Sequence, residues 1–429
     1  MAVRSSARSV ELAAVANEVC GADSVDVDSG IVIGGVTGPL VARPSSVEQL
    51  ASLVARTGPD AAIVARGTGS KMQSGATPER LDLVIETGRL DHVIEHNPGD
   101  LVVRAQAGMR LADLQRFLAV HGQTLALDSA DPAATLGGIV AANESGPRRH
   151  RYGTARDVLI GATLVLADGT VARTGGKVVK NVAGYDLGKL MIGSYGTLAI
   201  IAEVAFRLHP APTHHRVVEA SVPRDRVDAL LAGYRTPALE PESLEIGLDL
   251  PGDGVRLTAV FAGPEPSVDA QAAVAVERGL GRIIGDRIDD NGLAARPSPV
   301  SGTAGRDEAD GHAVIGLHVV VEPAACLRGL DALTRLGCAG RVRGRAALGV
   351  LDARLALETD QIGSAVDRLR RDLAPFDGSV VITTVPDAWR PGLDLWGPVA
   401  APALELMRSV KHRFDPARRL APGRFVGGI

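Results

Sequence analysis

D-S-A-D-P-A-A-T-L-G-G-I-V-A-A-N-E-S-G-P-R-R-H-R-Y-G-T-A-R-D fills residues 128–157, and K-V-V-K-N-V-A-G-Y-D-L-G-K-L-M-I-G-S-Y-G-T-L-A-I-I-A-E-V-A-F-R-L-H-P fills 177–210. Glycine recurs there where strands meet helices, at Gly137, Gly138, Gly153, Gly184, Gly193 and Gly196. At such junctions a missing Cβ lets the backbone come close to a ligand or to another segment. Between the glycines lie small residues, a few basic side chains and almost no aromatics. Such a surface suits an extended, phosphate-bearing cofactor held by main-chain N–H groups. A tightly packed glycine-rich fold without a ligand is the competing reading.

Composition narrows the classes around this stretch. At 429 residues the chain has room for two or three domains, and a 45% hydrophobic content supplies a substantial core. A net charge of −4 argues against a nucleic-acid protein, and 3% aromatic residues leave no base-stacking platform. No apolar run of about 18 residues exists to span a membrane. The first residues carry no continuous apolar signal core, so a cytoplasmic location is expected. Cys20, Cys326 and Cys338 are far apart and form no C-x-x-C pair. Three thiolates cannot hold a four-cysteine iron–sulfur cluster, so any such cluster belongs to another chain.

Upstream, periodicity predicts a helix over 7–20, and Ser45 with Glu48 fits a capping box for a helix ending near Arg56. The buried strand expected at Ala61–Ala65 runs straight into Arg66-Gly67-Thr68-Gly69-Ser70-Lys71. A strand delivering Gly-x-Gly can cradle a pyrophosphate, with Arg66 or Lys71 adding charge. It is not a Rossmann fingerprint, since Met72 stands where the third glycine would fall. Two strands follow around a turn at 97–100, then an amphipathic helix over 110–120 with Leu111, Leu114, Phe117 and Leu118 on one face.

Taken in order, R-G-T-G-S-K, D-P-x-x-A-T-L-G-G-I-V-A-A-N, R-Y-G-T-x-R-D, L-A-D-G-T, K-N-V-A-G-Y-D-L-x-K-L and G-S-Y-G-T-L-A-I-I resemble the PCMH-type FAD-binding domain of the vanillyl-alcohol-oxidase superfamily. Within it, the chain most resembles the second FAD-binding subunit of bacterial glycolate oxidase. The likeness is dense over residues 40–210 and returns in K-H-R-F-D-P-A-R-R-L-A-P-G-R, similar to the family ending K-x-x-F-D-P-x-x-x-x-N-P-G-R, with Ala421 in place of its asparagine. The resemblance implies an α+β fold: a two-subdomain FAD-binding domain over 1–210, a cap with a mostly antiparallel sheet over 211–388, and a segment 389–429 that returns to the FAD domain. It implies that Arg66, Gly67, Thr68, Gly69, Ser70 and Lys71 form the first pyrophosphate loop. Asp131, Ala134, Thr135, Gly137, Gly138 and Asn143 would form the second, reaching the flavin ring. Tyr152 and Gly153 would lie next to it, and Gly196, Thr197, Ile200 and Ile201 would hold the adenine and ribose end. Ser70 stands where some members carry a flavin-linking histidine, so noncovalent FAD is expected.

His209-Pro210-Ala211-Pro212 reads as a linker into the cap, where β-like and helical stretches alternate. Residues 290–311, rich in Pro, Gly and polar side chains, read as a mobile loop. The resemblance implies a G-E-H-G histidine motif and a metal-holding histidine pair in the cap, and neither is present in 211–388. His214 and His215 sit at the linker, His318 reads as core, and no metal is expected. The expected function is the FAD-binding subunit of a complex that oxidises glycolate to glyoxylate. Its partners would be a second, catalytic FAD-binding subunit and an iron–sulfur subunit, with any membrane association peripheral. A self-sufficient dehydrogenase for D-lactate or another small 2-hydroxy acid is the alternative, as is a flavin scaffold or electron relay without a substrate site. With no base or carboxylate clamp legible in the cap, the isolated chain is expected to oxidise glycolate poorly.

Overall fold

In the computed structural model, residues 2–38, 40–175, 186–285 and 312–429 are described. Gly184 and the stretch 290–311 lie outside them. The chain is an α+β protein with three principal sheets, two in the N-terminal half and one in the cap.

The first sheet is four-stranded, ordered Val25–Val27, Leu40–Ala42, Leu83–Glu86, Ile63–Arg66, with the last three strands parallel. Helix Val47–Arg56 covers it with Val47, Leu50, Leu53 and Val54, an i, i+3, i+6, i+7 stripe that is fully inside. Its N-cap lies one residue later than expected. Ser46 Oγ accepts from the Gln49 amide at 3.2 Å, while Ser45 donates to the Gln49 side chain. Glutamine at the third helical position thus takes the part expected of Glu48.

The second sheet is five-stranded and antiparallel: Val171–Gly175, Leu159–Val165, Ile200–Arg207, Val102–Gln106, Val93–Asn97. Helices Leu111–Ala119 and Leu136–Ala142 pack into its core through Leu111, Leu114, Leu118, Leu136, Ile139 and Val140. Phe117 stays outside, meeting the His96 ring edge-on and the His121 ring at a tilt. Val165, Ala167, Ile200 and Ala202 pack into the core of the first sheet, so the two subdomains share apolar side chains.

The cap is one eight-stranded antiparallel sheet, from His214–Val222 to Ser379–Thr384. Its helices, among them Cys326–Thr334 and Ile362–Leu373, cover one face, where Leu244, Ile246, Leu248, Ile315, Leu317, Val319, Leu351, Ala353 and Leu355 are buried. Side chains alternate along a strand, so the intervening residues share the other face. These include Glu245, His318, Arg343, Arg345, Asp352 and Arg354, and the face turns toward the N-terminal half. The short helix Arg149–Tyr152 packs there against strand Ser243–Leu250.

Three sequence expectations change here. His209–Pro210 is not a free linker but pairs with Gln123–Thr124. His214 and His215 open the first cap strand, paired with Gly263 and Ala262. The strand Gly340–Arg345, G-R-V-R-G-R, escapes detection because Val342 is its one aliphatic residue.

The C-terminal helix Ala401–Phe414 and the residues after it pack back on the N-terminal half. The Ile63 amide donates to Arg419 O at 2.7 Å and the Ala421 amide to Ile63 O at 2.8 Å. Lys411 Nζ is buried among Asp415 Oδ2 at 2.6 Å, Thr197 O at 2.7 Å and Leu420 O at 2.8 Å. Asp415 in turn accepts from the amides of Arg419 and Leu420.

Candidate flavin cleft and the facing cap surface

An open cleft lies between the two N-terminal subdomains. Arg66 to Lys71 form one wall, Thr135, Gly137 and Gly138 another, and Gly196, Ile200 and Ile201 a third. These twelve lie together although their numbers range from 66 to 201. The loops are tied to each other: Thr68 Oγ1 donates to Ala133 O at 2.8 Å, and a Cβ on Gly67 would come within 2.2 Å of Thr135 Oγ1. Gly67 is therefore required by loop-on-loop contact, whereas a Cβ on Gly196 would meet nothing within 4 Å.

The amides of Thr68, Gly69, Ser70 and Lys71 have no acceptor among the described residues, an arrangement that suits phosphate oxygens. The start of helix Leu136–Ala142 offers less than its sequence suggests. Its Leu136 and Gly137 amides already donate to Met109 O and Ala107 O, and that of Gly138 to Thr135 Oγ1. Arg66 is engaged by Glu86 and by Thr68 O, and Lys71 pairs with Glu144 at 3.0 Å.

Six expected residues lie outside the lining. Asp131 Oδ1 accepts from the Ala133 amide at 2.8 Å and Ala134 is buried, so both shape the second loop from behind. Asn143 ends its helix at φ +50°, against Gly193. Thr197 is buried, with its hydroxyl on Ser194 O. Tyr152 packs on His209 at 4.7 Å in the seam with the cap, and a Cβ on Gly153 would strike the Asp157 carboxylate.

Sequence reading missed the far end of the cleft. Tyr195, at φ +54°, and Arg424 line it, and Trp396 stands edge-on to both Tyr195 and Phe425 in an aromatic cluster there. Burial pushes the Tyr195 hydroxyl up to about 12. Arg424 donates through Nη2 to Met72 O and Ser74 O, whereas its buried Nη1 has no partner. Burial, helped by the nearby Arg390 charge, lowers this guanidinium to about 10. An unpaired buried donor costs about 1–3 kcal/mol, a cost that an acceptor in the cleft would remove.

The cap surface facing this end carries a charged cluster. Arg345 donates through both terminal nitrogens to Asp352 Oδ2, at 2.6 and 2.7 Å, and His318 Nδ1 meets Asp352 Oδ1 at 2.7 Å. His318 is thus on the polar face of its strand, not in the core. Burial alone would raise the Asp352 carboxyl, but Arg345 and His318 hold it well below the usual carboxylate range. The charge of Lys71, from the first loop, acts in the same direction. Glu245, cross-strand from Arg345, has no hydrogen-bond partner among the described residues, and desolvation pushes its carboxyl up to about 7. Among the described residues, His214, Glu265 and Asp269 place ligand atoms within 4.8 Å of one another at the cap edge. Arg216 Nε lies 2.9 Å from the same Asp269 oxygen, so this corner is held together as ion pairs.

Three walls of glycine-rich loop backbone across a split α+β domain suit a flavin, and comparison with known proteins agrees. Residues 39–175 match the FAD binding domain family, so the chain carries that domain and its cofactor is FAD. Over 154 residues it is 36% identical to the glycolate oxidase subunit GlcE of Escherichia coli, covering 35% of this chain and 43% of that one. It is 28% identical over 260 residues to a D-lactate dehydrogenase of Archaeoglobus fulgidus, covering 57% and 58% of the two chains. The chain spans about half the length of the curated relatives it matches. In fold it is similar to alkyldihydroxyacetonephosphate synthase, with a TM-score of 0.66 at 16% identity over 90% of this chain and 76% of that one. No helix among the described residues is long and apolar enough to cross a membrane.

Proposed function

We propose that this chain is the FAD-carrying subunit of a glycolate-oxidising complex, converting a small 2-hydroxy acid to the 2-oxo acid. The observation that carries the reading is the cleft itself. Free loop amides from Thr68 to Lys71 line it for the diphosphate, and a charged cap surface stands near Lys71 at its edge. Bound FAD supplies the hydride acceptor. The chain's residues hold the cofactor through backbone donors and shield its reactive end with the cap. Similarity to a glycolate oxidase subunit supports glycolate as the first substrate, and the D-lactate dehydrogenase relative makes D-lactate the next to try.

Electrons must then leave the flavin. Cys20, Cys326 and Cys338 are free and far apart in sequence, and Cys326 is buried. No four-thiolate cluster can form within the chain, which supports an iron–sulfur partner as the next carrier.

The test is anaerobic mixing of the purified flavoprotein with glycolate or D-lactate, alone and with candidate partner chains, while the flavin absorbance is followed. Bleaching by a short 2-hydroxy acid is expected. A flavin that neither acid reduces under either condition would overturn the proposal and favour a scaffold or relay.

A further inference from the structure

Against the cap's polar face lies a guanidinium without a carboxylate partner among the described residues. Arg149, on the helix Arg149–Tyr152, makes a single side-chain hydrogen bond, to Ser145 Oγ at 3.4 Å, and no ion pair among the described residues. Its charge is opposed by that of Arg345 across the seam. The buried Arg345 Nε also lacks an acceptor. Asp352 already answers both terminal nitrogens of Arg345, and Glu144 answers Lys71. Arg149 is therefore left without an ion-pair partner among the described residues, near an unfilled donor of Arg345, and an anion placed between them would satisfy both.

Beside this cation stands an oriented imidazole. Asp352 fixes His318 through Nδ1, and Arg345 fixes Asp352 through two bonds, which leaves Nε2 of His318 as the proton-accepting atom. Strand register places the group at the mouth of the cleft. His318 pairs with Val381 and Gly316 with Thr384, and the adjoining Thr383 O accepts from Ser74 Oγ at 3.0 Å, three residues past the first FAD loop.

We propose that this face is the chain's own substrate site, with Arg149 and the unfilled Arg345 Nε holding the carboxylate of a 2-hydroxy acid beside Lys71, and His318 Nε2 taking its hydroxyl proton. The inference rests on the function proposed above. The hydroxyl O–H bond breaks to His318, the α-C–H bond breaks with its electron pair to the FAD, and the C–O bond becomes C=O. Asp352 is a positioning residue and touches no substrate. The group is assembled from four segments distant in sequence and uses no histidine pair.

The experiment uses the FAD-loaded full chain and two readouts. Calorimetric titration of the oxidised protein with oxalate, which has no α-hydrogen to transfer, reads carboxylate binding. Anaerobic bleaching by glycolate or D-lactate reads hydride transfer. Arg149→Ala is expected to weaken oxalate binding about tenfold to a hundredfold. His318→Gln is expected to leave oxalate binding within about threefold and to slow bleaching by about 10²- to 10⁴-fold. Asp352→Asn should lower the limiting bleaching rate more than the apparent substrate affinity, which separates positioning from structural damage. Arg371→Ala, on an exposed helix surface, is the control. If wild type bleaches and both His318→Gln and Asp352→Asn bleach at its rate, the site is overturned while the function stands. Oxalate affinity unchanged in a flavin-replete Arg149→Ala protein overturns the carboxylate assignment. Wild type that no 2-hydroxy acid bleaches refutes the function, and this site with it.

Discussion

Gly138 lies in the first turn of helix Leu136–Ala142 and lines the cleft, so valine at this position separates cofactor fit from folding. An ideal Cβ on Gly138 has one neighbour within 4 Å, Thr135 Oγ1 at 3.0 Å, and the backbone there is not left-handed. Valine is a better helix former than glycine by a few tenths of a kcal/mol. Disturbing the Thr135 cap costs about 0.5–2 kcal/mol. The apoprotein should therefore keep its stability within about 2 kcal/mol. The two γ-methyl groups, by contrast, enter space that the flavin needs, and overpacking of this kind costs about 1–3 kcal/mol. At 1.4 kcal/mol per factor of ten, FAD should bind about 5- to 150-fold more weakly. Titration of apoprotein with FAD by fluorescence gives the dissociation constant, and thermal melting of the same sample gives the stability, with Arg371→Ala as reference. A stable Gly138→Val protein with wild-type FAD affinity would place the cofactor elsewhere.

Three further outcomes are expected. Acid precipitation should release all FAD into the supernatant, because Ser70 offers no imidazole for a flavin bond; flavin retained in the pellet would contradict this. Asp415→Ala should lower stability by about 3–5 kcal/mol in urea titrations, since it leaves Lys411 charged and buried with only carbonyls around it; a loss below about 1 kcal/mol would count against that account. Glu245 holds its proton more tightly when folded, at about 7, than the roughly 4.3 of an unfolded chain. Its contribution is thus full below about pH 4.3 and is lost as pH rises to 7. Unfolding free energies of Glu245→Gln should lack the decline that wild type shows across this interval, and parallel curves would refute the assignment.

The cleft was legible because its parts are local. R-G-T-G-S-K and T-L-G-G carry their loop geometry in a few adjacent residues, and both lie on the walls. Asp131, Tyr152 and Thr197 sit in the same motifs yet face away, since a motif records which backbone is needed and not which side chain points inward. The cap cluster was hidden for a different reason. Arg345, Asp352 and His318 share no short motif and meet only through strand pairing, with His318 opposite Asp352 and Arg343 opposite Asp352 on the other side. His318 was read as core because valine, leucine and isoleucine surround it in sequence, although period-2 alternation puts it on the opposite face from Leu317 and Val319. Tyr195 and Arg424 likewise became neighbours only through the fold.

The hold of Arg424 on the first loop bears on how the protein matures. Its guanidinium clamps the carbonyls of Met72 and Ser74, partners 352 and 350 residues away along the chain. A ribosome making about 5–20 residues per second needs tens of seconds to travel that far. Through that interval the nascent N-terminal half has its glycine loops but not the residue that ties down one of them. The wall that follows the first loop is thus completed by a segment made some 350 residues later, so the loop's sequence alone does not build the cleft.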